Sequence, residues 1–391
     1  MIYPWSTKKY ISQNNDMSYE EAVEGTRIRL LKSMELRLRS DVPIAFCLSG
    51  GIDSNGLIGI AKKIFGYDVH GFTIMNHDER YEEKDMVNYS VKSQELKHTS
   101  IAVEKNNFFE NLKNIVNYHD SPVSTISYYA HWLLMKSISQ EGYKVSVSGT
   151  GADEIFSGYY DHHLAYIAEI HNGNKSFFNE SISNWKNNIE TFVRNPFLKN
   201  SNYFINNPMS RSHIYLDSES YGKYLTYPFK EEFEEKIYTP FLLRNRMANE
   251  LFHETVPVIL HEDDLNAMYF SIENRSPFLD SKLYYWSLQL PTRFLINKSL
   301  SKAVLRDSLK DIVPRRILKN PRKIGFNVPI DDYIDFSDPK IISMLTQPSR
   351  IDEIVKSDQI KMLFQNKQRS NEESKFLFNY LSTRSFLDRF A

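Results

Sequence analysis

Two glycine-rich stretches carry the residues best suited to chemistry. Residues 48–54 read "LSGGIDS" directly after the apolar run "VPIAFC", and residues 147–159 read "VSGTGADEIFSGY" at the end of the run "KVSVSG". Gly50 and Gly51 allow backbone angles and a close approach that side chains would block. The backbone N–H groups of such a loop, with the N-terminus of a following helix, form an anion pocket, and Ser49 and Ser54 add hydroxyl donors. Asp53 puts negative charge beside that pocket, which suits a phosphate ligand only with a divalent cation between them. The second stretch brings Asp153 and Glu154 to an equivalent position. Alone, "SGGIDS" also reads as an ordinary helix entry with Asp53 or Ser54 as N-cap. Two acid-bearing loops at strand ends favour a nucleotide and magnesium site over chance capping. The spacing and lysine of a Walker loop are absent.

The elements that must position these loops follow from periodicity. Residues 18–38 place Ala22, Ile28, Leu31 and Met34 at roughly helical spacing, so a helix leads into the first strand. Leu57, Ile60, Ala61 and Ile64 mark an amphipathic helix ended by Gly66. The short apolar runs "VHGFTI", "HTSIAV" and "KVSVSG" then alternate with helical stretches over residues 82–97, 106–119 and 126–142. This alternation predicts βαβ units and a parallel sheet with covered faces. Beyond Asp161 the pattern turns helical, with turns at "RSPFLD", "LPTRF" and "VPRRI". The expectation is an α/β core over residues 21–165, a leader over residues 1–20 and a helical remainder over residues 166–391.

Composition sets limits. A net charge of −1, from 48 basic and 49 acidic residues among 391, gives no global attraction to nucleic acid or to a membrane surface. The single cysteine, Cys47, excludes an intramolecular disulfide framework and fits a reducing compartment. No run of 18 apolar residues and no signal-peptide pattern occurs, so the expected location is the cytoplasm.

Set in order, "LSGGIDS", "SGTGADEIFSGY", "DDLNAMYFSIENRSPFLD", "LSKAVLRDSL" and "PRKIGF" resemble the synthetase domain of class B asparagine synthetases, from about residue 20 to the C-terminus. The first loop is similar to the pyrophosphatase-type (PP-loop) motif of enzymes that release AMP and pyrophosphate. The resemblance implies an adenine nucleotide α-hydrolase-like α/β fold with ATP and Mg²⁺ as cofactors. It also implies roles by position: Ser49, Gly50, Gly51, Asp53 and Ser54 hold pyrophosphate, while Leu48, Ile74, Ser148 and Gly149 line the nucleotide. Asp53 and Asp153 bind magnesium, and Lys302 and Lys323 stabilise charge on the phosphates or the acyl centre. Without the resemblance, Lys302 reads as a solvated helix residue and Lys323 as part of a charged turn. Glu273, in "SIENRSPFLD", reads first as a bracing acid or an ion pair at a helix end, and second as a catalytic group.

Two departures bound the transfer. The N-terminal glutaminase domain of glutamine-dependent members does not precede the synthetase motifs, and Cys47 reads as a core residue rather than a nucleophile. The alternatives are free ammonia or another amine as nitrogen source, a separate glutaminase acting in trans, or a chain cut from a longer one. Thr150 stands where asparagine-forming members usually carry an acid and lactam-forming relatives a tyrosine, and a hydroxyl of threonine is no base at neutral pH. Ser124 and Thr125 are candidate contacts to the acyl substrate, with helix capping after Pro122 as the equally good alternative. The implied reaction is amide formation through an acyl-adenylate, intermolecular or, as in cyclising relatives, intramolecular. A non-catalytic nucleotide-binding subunit is the competing class.

Overall fold

The computed structural model describes residues 16–75, 83–102, 107–215, 218–228, 233–323, 328–366 and 369–390. Most of the expected leader, and residues 324–326 of "PRKIGF", lie outside them. Five parallel strands form one sheet: β1 Ile44–Cys47, β2 His70–Met75, β3 Lys97–Ala102, β4 Val145–Val147 and β5 Glu273–Arg275, in the order β3-β2-β1-β4-β5. Each apolar run expected as a strand is one. The order reverses between β1 and β4, whose register pairs Ile44 with Val145 and Phe46 with Val147. Such a reversal opens a crevice at the carboxyl ends of the two strands, which is where an open α/β sheet binds ligands.

Helices cover both faces, as parallel strands require. Ile44, Phe46 and Leu48 point into a core shared with α1 (Tyr19–Arg37) and α2 (Ile52–Gly59). Ala45 and Cys47, one residue out of phase, pack toward the opposite core with α4 (Phe108–His119) and α5 (Ile126–Gln140); α3 is Lys84–Gln94. Burial pushes the Cys47 thiol up to about 12, as befits an inert core residue. The helix begun by α2 runs on as a π-helical turn through Ile64, and Gly66 follows at φ 64°, as its place after the last apolar position predicts.

Two expectations are corrected. On α1 the buried stripe is Ala22, Gly25, Thr26, Leu30, Ser33 and Met34, while Ile28 is 55% exposed. The stripe turns because the Trp286 ring lies against Gly25 and donates its indole N–H to Thr26 (3.0 Å). Ser18 closes α1 with Glu21 in a capping box. The second correction concerns Glu273, read as lying at a helix end: residues 273–275 are the edge strand β5, with Glu273 opposite Val145 and Arg275 opposite Val147, and the turn expected at "RSPFLD" follows as a 3-10 turn over Pro277–Leu279. Asp280 then caps the helix Ser281–Ser287, accepting the N–H of Lys282 (2.9 Å), and pairs with Arg37 (2.6 Å).

Candidate active site

Both glycine-rich loops end at the sheet's point of reversal. After β1, the chain turns through residues 48–51 into α2, with Gly51 in the N-cap position. The turn is tied internally: Ser49 N–H donates to Ser54 Oγ (3.1 Å), the two hydroxyls meet at 3.0 Å, and Gly51 N–H donates to Ser49 Oγ (3.3 Å). Gly50 N–H donates to the carboxylate of Glu83 at 3.2 Å, so an anion already sits against the loop. Burial pushes the Glu83 carboxyl up, opposed by that bond and by Lys323. Gly50 is required by close approach, since a Cβ there would lie 2.8 Å from Met86 Cβ, and neither Gly50 nor Gly51 has a positive φ.

Four charged side chains then meet. Lys302 Nζ donates to both oxygens of Asp53 (2.7 and 2.6 Å) and lies 2.7 Å from Asp153 Oδ1. Lys323 Nζ donates to the other Asp153 oxygen at 2.7 Å. Asp153 sits in the first turn of the short helix α6 (Ala152–Phe156). Burial raises its pKa, but Lys302 and Lys323 outweigh that and hold it well below the usual carboxylate range. Lys323 shows the complement: burial lowers it, while Asp153 and Asp53 hold the ammonium charged. Lys302 is not the solvated helix residue its neighbours suggest. It is 3% exposed, in a left-handed conformation (φ 57°), as the N-cap of the helix Ala303–Ser308. Gly158 makes the cluster possible, because a Cβ there would fall 1.6 Å from Asp153 Oδ1 and 2.5 Å from Lys302 Cε.

The remaining expected residues divide. Leu48 and Ile74 are buried at the ends of β1 and β2. Gly149 lies against Asp53, and Ser148 meets Thr150 hydroxyl to hydroxyl at 3.1 Å. Glu273 is not brought to the cluster: it starts β5, 61% exposed, and binds Arg275 at 2.8 Å. Ser124 donates to Glu262 (2.9 Å), which also lies 3.3 Å from His119. Thr125 takes the N-cap position of α5 without a capping bond from its side chain.

Several site residues escape a reading of the sequence. Asn55, fully buried, donates to the carbonyls of Ser49 (2.9 Å) and Gly51 (2.7 Å) and accepts from Gln94 (3.0 Å), so it braces the first loop against α3. Arg306 donates to the carbonyls of Ser301 (2.7 Å) and Leu318 (2.8 Å), joining the segments that carry the two lysines. Tyr160 opens α7 (Tyr160–Ile170) and accepts the Lys323 N–H at 3.1 Å. Tyr159 donates to Glu154 at 2.5 Å. Burial, and then the charge of Asp153, push Glu154 up to about 7.

The two carboxylates converge on one point, the Lys302 nitrogen, at 2.6 and 2.7 Å. A divalent cation placed there would have both as ligands, so the residues present fit magnesium.

A parallel sheet with paired glycine-rich loops, two acids and two lysines at its reversal point defines an α/β domain of the PP-loop type. The chain belongs to the asparagine synthase family, whose model matches residues 25–384. It is 24% identical over 376 residues to asparagine synthetase (glutamine-hydrolysing) 1 of Bacillus subtilis, covering 89% of this chain and 56% of that protein. It is 25% identical over 343 residues to a putative glutamine-hydrolysing asparagine synthetase of Mycobacterium bovis, covering 83% and 50%. Amidase chyE of Penicillium rubens matches 36% of this chain and 23% of its own length at 26% identity. The chain thus spans about half the length of the synthetases it matches.

Proposed function

We propose that the protein is an ATP-dependent amide-forming ligase that activates a carboxylate as an acyl-adenylate, releases pyrophosphate, and passes the acyl group to ammonia or another amine. The observation that carries this reading is the convergence of Asp53, Asp153, Lys302 and Lys323 beside the loop of residues 49–54. A carboxylate at neutral pH is a poor electrophile, and joining it to AMP supplies a good leaving group. Attack of the carboxylate oxygen on the α-phosphorus breaks the bond to pyrophosphate. The leaving group gains negative charge, which ammonium groups and backbone N–H donors can stabilise. When bound, magnesium would neutralise phosphate charge from Asp53 and Asp153.

Within this reading Ser49, Ser54 and the N–H of Gly50 grip pyrophosphate once Glu83 is displaced. Lys302 shifts from Asp53 to the phosphates, and Lys323 to the acyl centre. Leu48, Ile74, Ser148 and Gly149 face the nucleotide. Thr150, hydrogen-bonded to Ser148, orients substrate rather than removing a proton, so the attacking amine must arrive neutral. Ser124 and Thr125 are assigned to the acyl-substrate wall, and Glu273 braces the sheet edge through Arg275.

The test is to incubate the protein with Mg-ATP, ammonium and a panel of carboxylic acids, and to assay products. AMP and pyrophosphate formed in step with amide are expected. Release of ADP and phosphate overturns the reading.

A further inference from the structure

The start of α3 lies against the phosphate donors of the candidate site. Glu83 occupies the N-cap position of this helix yet makes no capping bond to it. An acid there ordinarily accepts an N–H of its own first turn. The Glu83 carboxylate instead reaches back along the chain and accepts the N–H of Gly50 (3.2 Å). A Cβ on Gly50 would lie 3.4 Å from Glu83 Cβ and 3.5 Å from its Cδ, so the side chain lies along the loop. Lys323 and Arg322 stand near enough to favour its charged form against burial. Two residues on, Asp85 receives Arg322 Nη2 on both carboxylate oxygens (3.0 and 3.1 Å) and Arg316 Nη2 on one (3.3 Å). Glu83 and Arg322 both line the cavity at the first loop, together with Lys302 and Lys323. That cavity measures about 50 Å³, against about 300–1,000 Å³ for a typical small-molecule site, so it is closed as it stands.

A backbone N–H at a helix entry and the fork of an arginine are the donors that hold phosphate oxygens. Here each is engaged by a carboxylate from one short stretch, and an ionised carboxylate, like a phosphate, is a negatively charged acceptor. We propose that Glu83 and Asp85 form an internal anion clasp that fills the pyrophosphate donors until nucleotide arrives, and that Arg322, released from Asp85, is a further pyrophosphate-holding residue. The proposal rests on the ligase reading, which places pyrophosphate on residues 49–54, and adds the regulation of that site. The pair of Asp85 and Arg322 is suited to exchange, since its side chains are 49% and 31% exposed and ion pairs at such positions are weak. A triphosphate carries more charge than either acid and meets the loop, Arg322 and both lysines together, so it displaces the clasp. Closure lowers the apparent affinity in proportion to the fraction of chains held shut. Return of the two acids to their donors then helps to expel pyrophosphate after the reaction.

The probe is pyrophosphate with magnesium, titrated calorimetrically into the full chain and its variants, with thermal melts confirming that each is folded. Saturable binding by the unaltered chain is expected. Glu83→Ala, which costs α3 no capping bond, should bind at least about threefold more tightly. Arg322→Ala should bind at least about tenfold more weakly. Asp85→Asn should tighten binding about twofold, and that gain should vanish when it is combined with Arg322→Ala, because Asp85 acts through the arginine. If Arg322→Ala fails to fold, Arg322→Lys, which keeps the charge and loses the fork, replaces it with a severalfold loss expected. Unchanged or weaker binding by Glu83→Ala, or binding unmoved by the loss of Arg322, overturns the proposal while leaving pyrophosphate on the loop. No binding by any of the chains, Glu83→Ala included, removes the pyrophosphate assignment and the proposal with it.

Discussion

Lys302 shows how one residue serves both stability and chemistry. Its ammonium is almost fully buried and is the shared partner of two carboxylates that would otherwise repel each other. Removing one member of a buried ionic cluster typically costs about 3–5 kcal/mol, because the remaining charges stay desolvated. Lys302→Met is therefore expected to lower the free energy of unfolding, read from urea titration, by an amount of that order and to reduce AMP formation at least about a hundredfold. Magnesium should restore part of the lost stability, since it can take the place between Asp53 and Asp153; a melt unmoved by magnesium would count against that placement. Glu154 gives a pH signature. Its folded pKa, about 7, lies above the ordinary value of 4.5, so the folded state binds the proton more tightly than the unfolded one. The stabilisation is fully present below about pH 4.5 and is lost as pH rises through about 7, a span of the order of 3 kcal/mol. Glu154→Gln, which keeps a partner for Tyr159, should remove that slope from the stability–pH curve. An unchanged slope would place the titration elsewhere.

At the level of elements, the sequence reads well where burial imposes a period and poorly where contacts are local and polar. The three inner strands, β2, β1 and β4, are largely apolar runs because both their faces are covered. β5 has the sequence Glu-Asn-Arg, short and polar as edge strands are, and no alternation marks it. The first loop was legible as glycines and serines at a strand end, and Lys302 and Lys323 only through their motifs, since nothing local distinguishes either from a surface lysine. Asn55 was illegible for a physical reason: an asparagine inside an apolar helix reads as a blemish until its carbonyl partners, four and six positions back in the preceding turn, are placed. It braces the loop, holding Ser49 and Gly51 on one side and Gln94 on the other. Asn55→Ala removes the side-chain bonds to the carbonyls of Ser49 and Gly51 and the acceptor of the buried Ser90 hydroxyl, at a cost of about 1–3 kcal/mol. The loop should then loosen, so KM for ATP is expected to rise severalfold while the sheet's far-UV signal is kept. Unchanged KM would mean that the serine–serine bonds alone shape the loop.

At the scale of the whole molecule, the α/β core and the helical remainder do not close separate interiors. β5, from the second segment, completes the hydrogen-bonding edge of β4, and α1 packs against the helices Ser281–Ser287 and Ala303–Ser308. One hydrophobic core joins Leu30, Phe46 and Val147 to Phe278, Leu283 and Val304, so a third of its buried residues come from beyond residue 240. The site follows the same plan, with both acids on the first segment and both lysines on the second. Folding of the sheet and assembly of the charged cluster are therefore expected to be one event. A fragment covering residues 16–170 would expose the β4 edge, leave the face carrying Phe46 uncovered, and hold Asp53 and Asp153 without cations. Such a fragment is expected to show no cooperative urea transition and to bind hydrophobic dyes, while the full chain unfolds in a single transition coincident by fluorescence and circular dichroism. A sigmoidal transition in the fragment, with a slope near 1–3 kcal/mol/M as for an independent domain of its size, would show that the first segment folds alone and that the lysines dock onto a finished core.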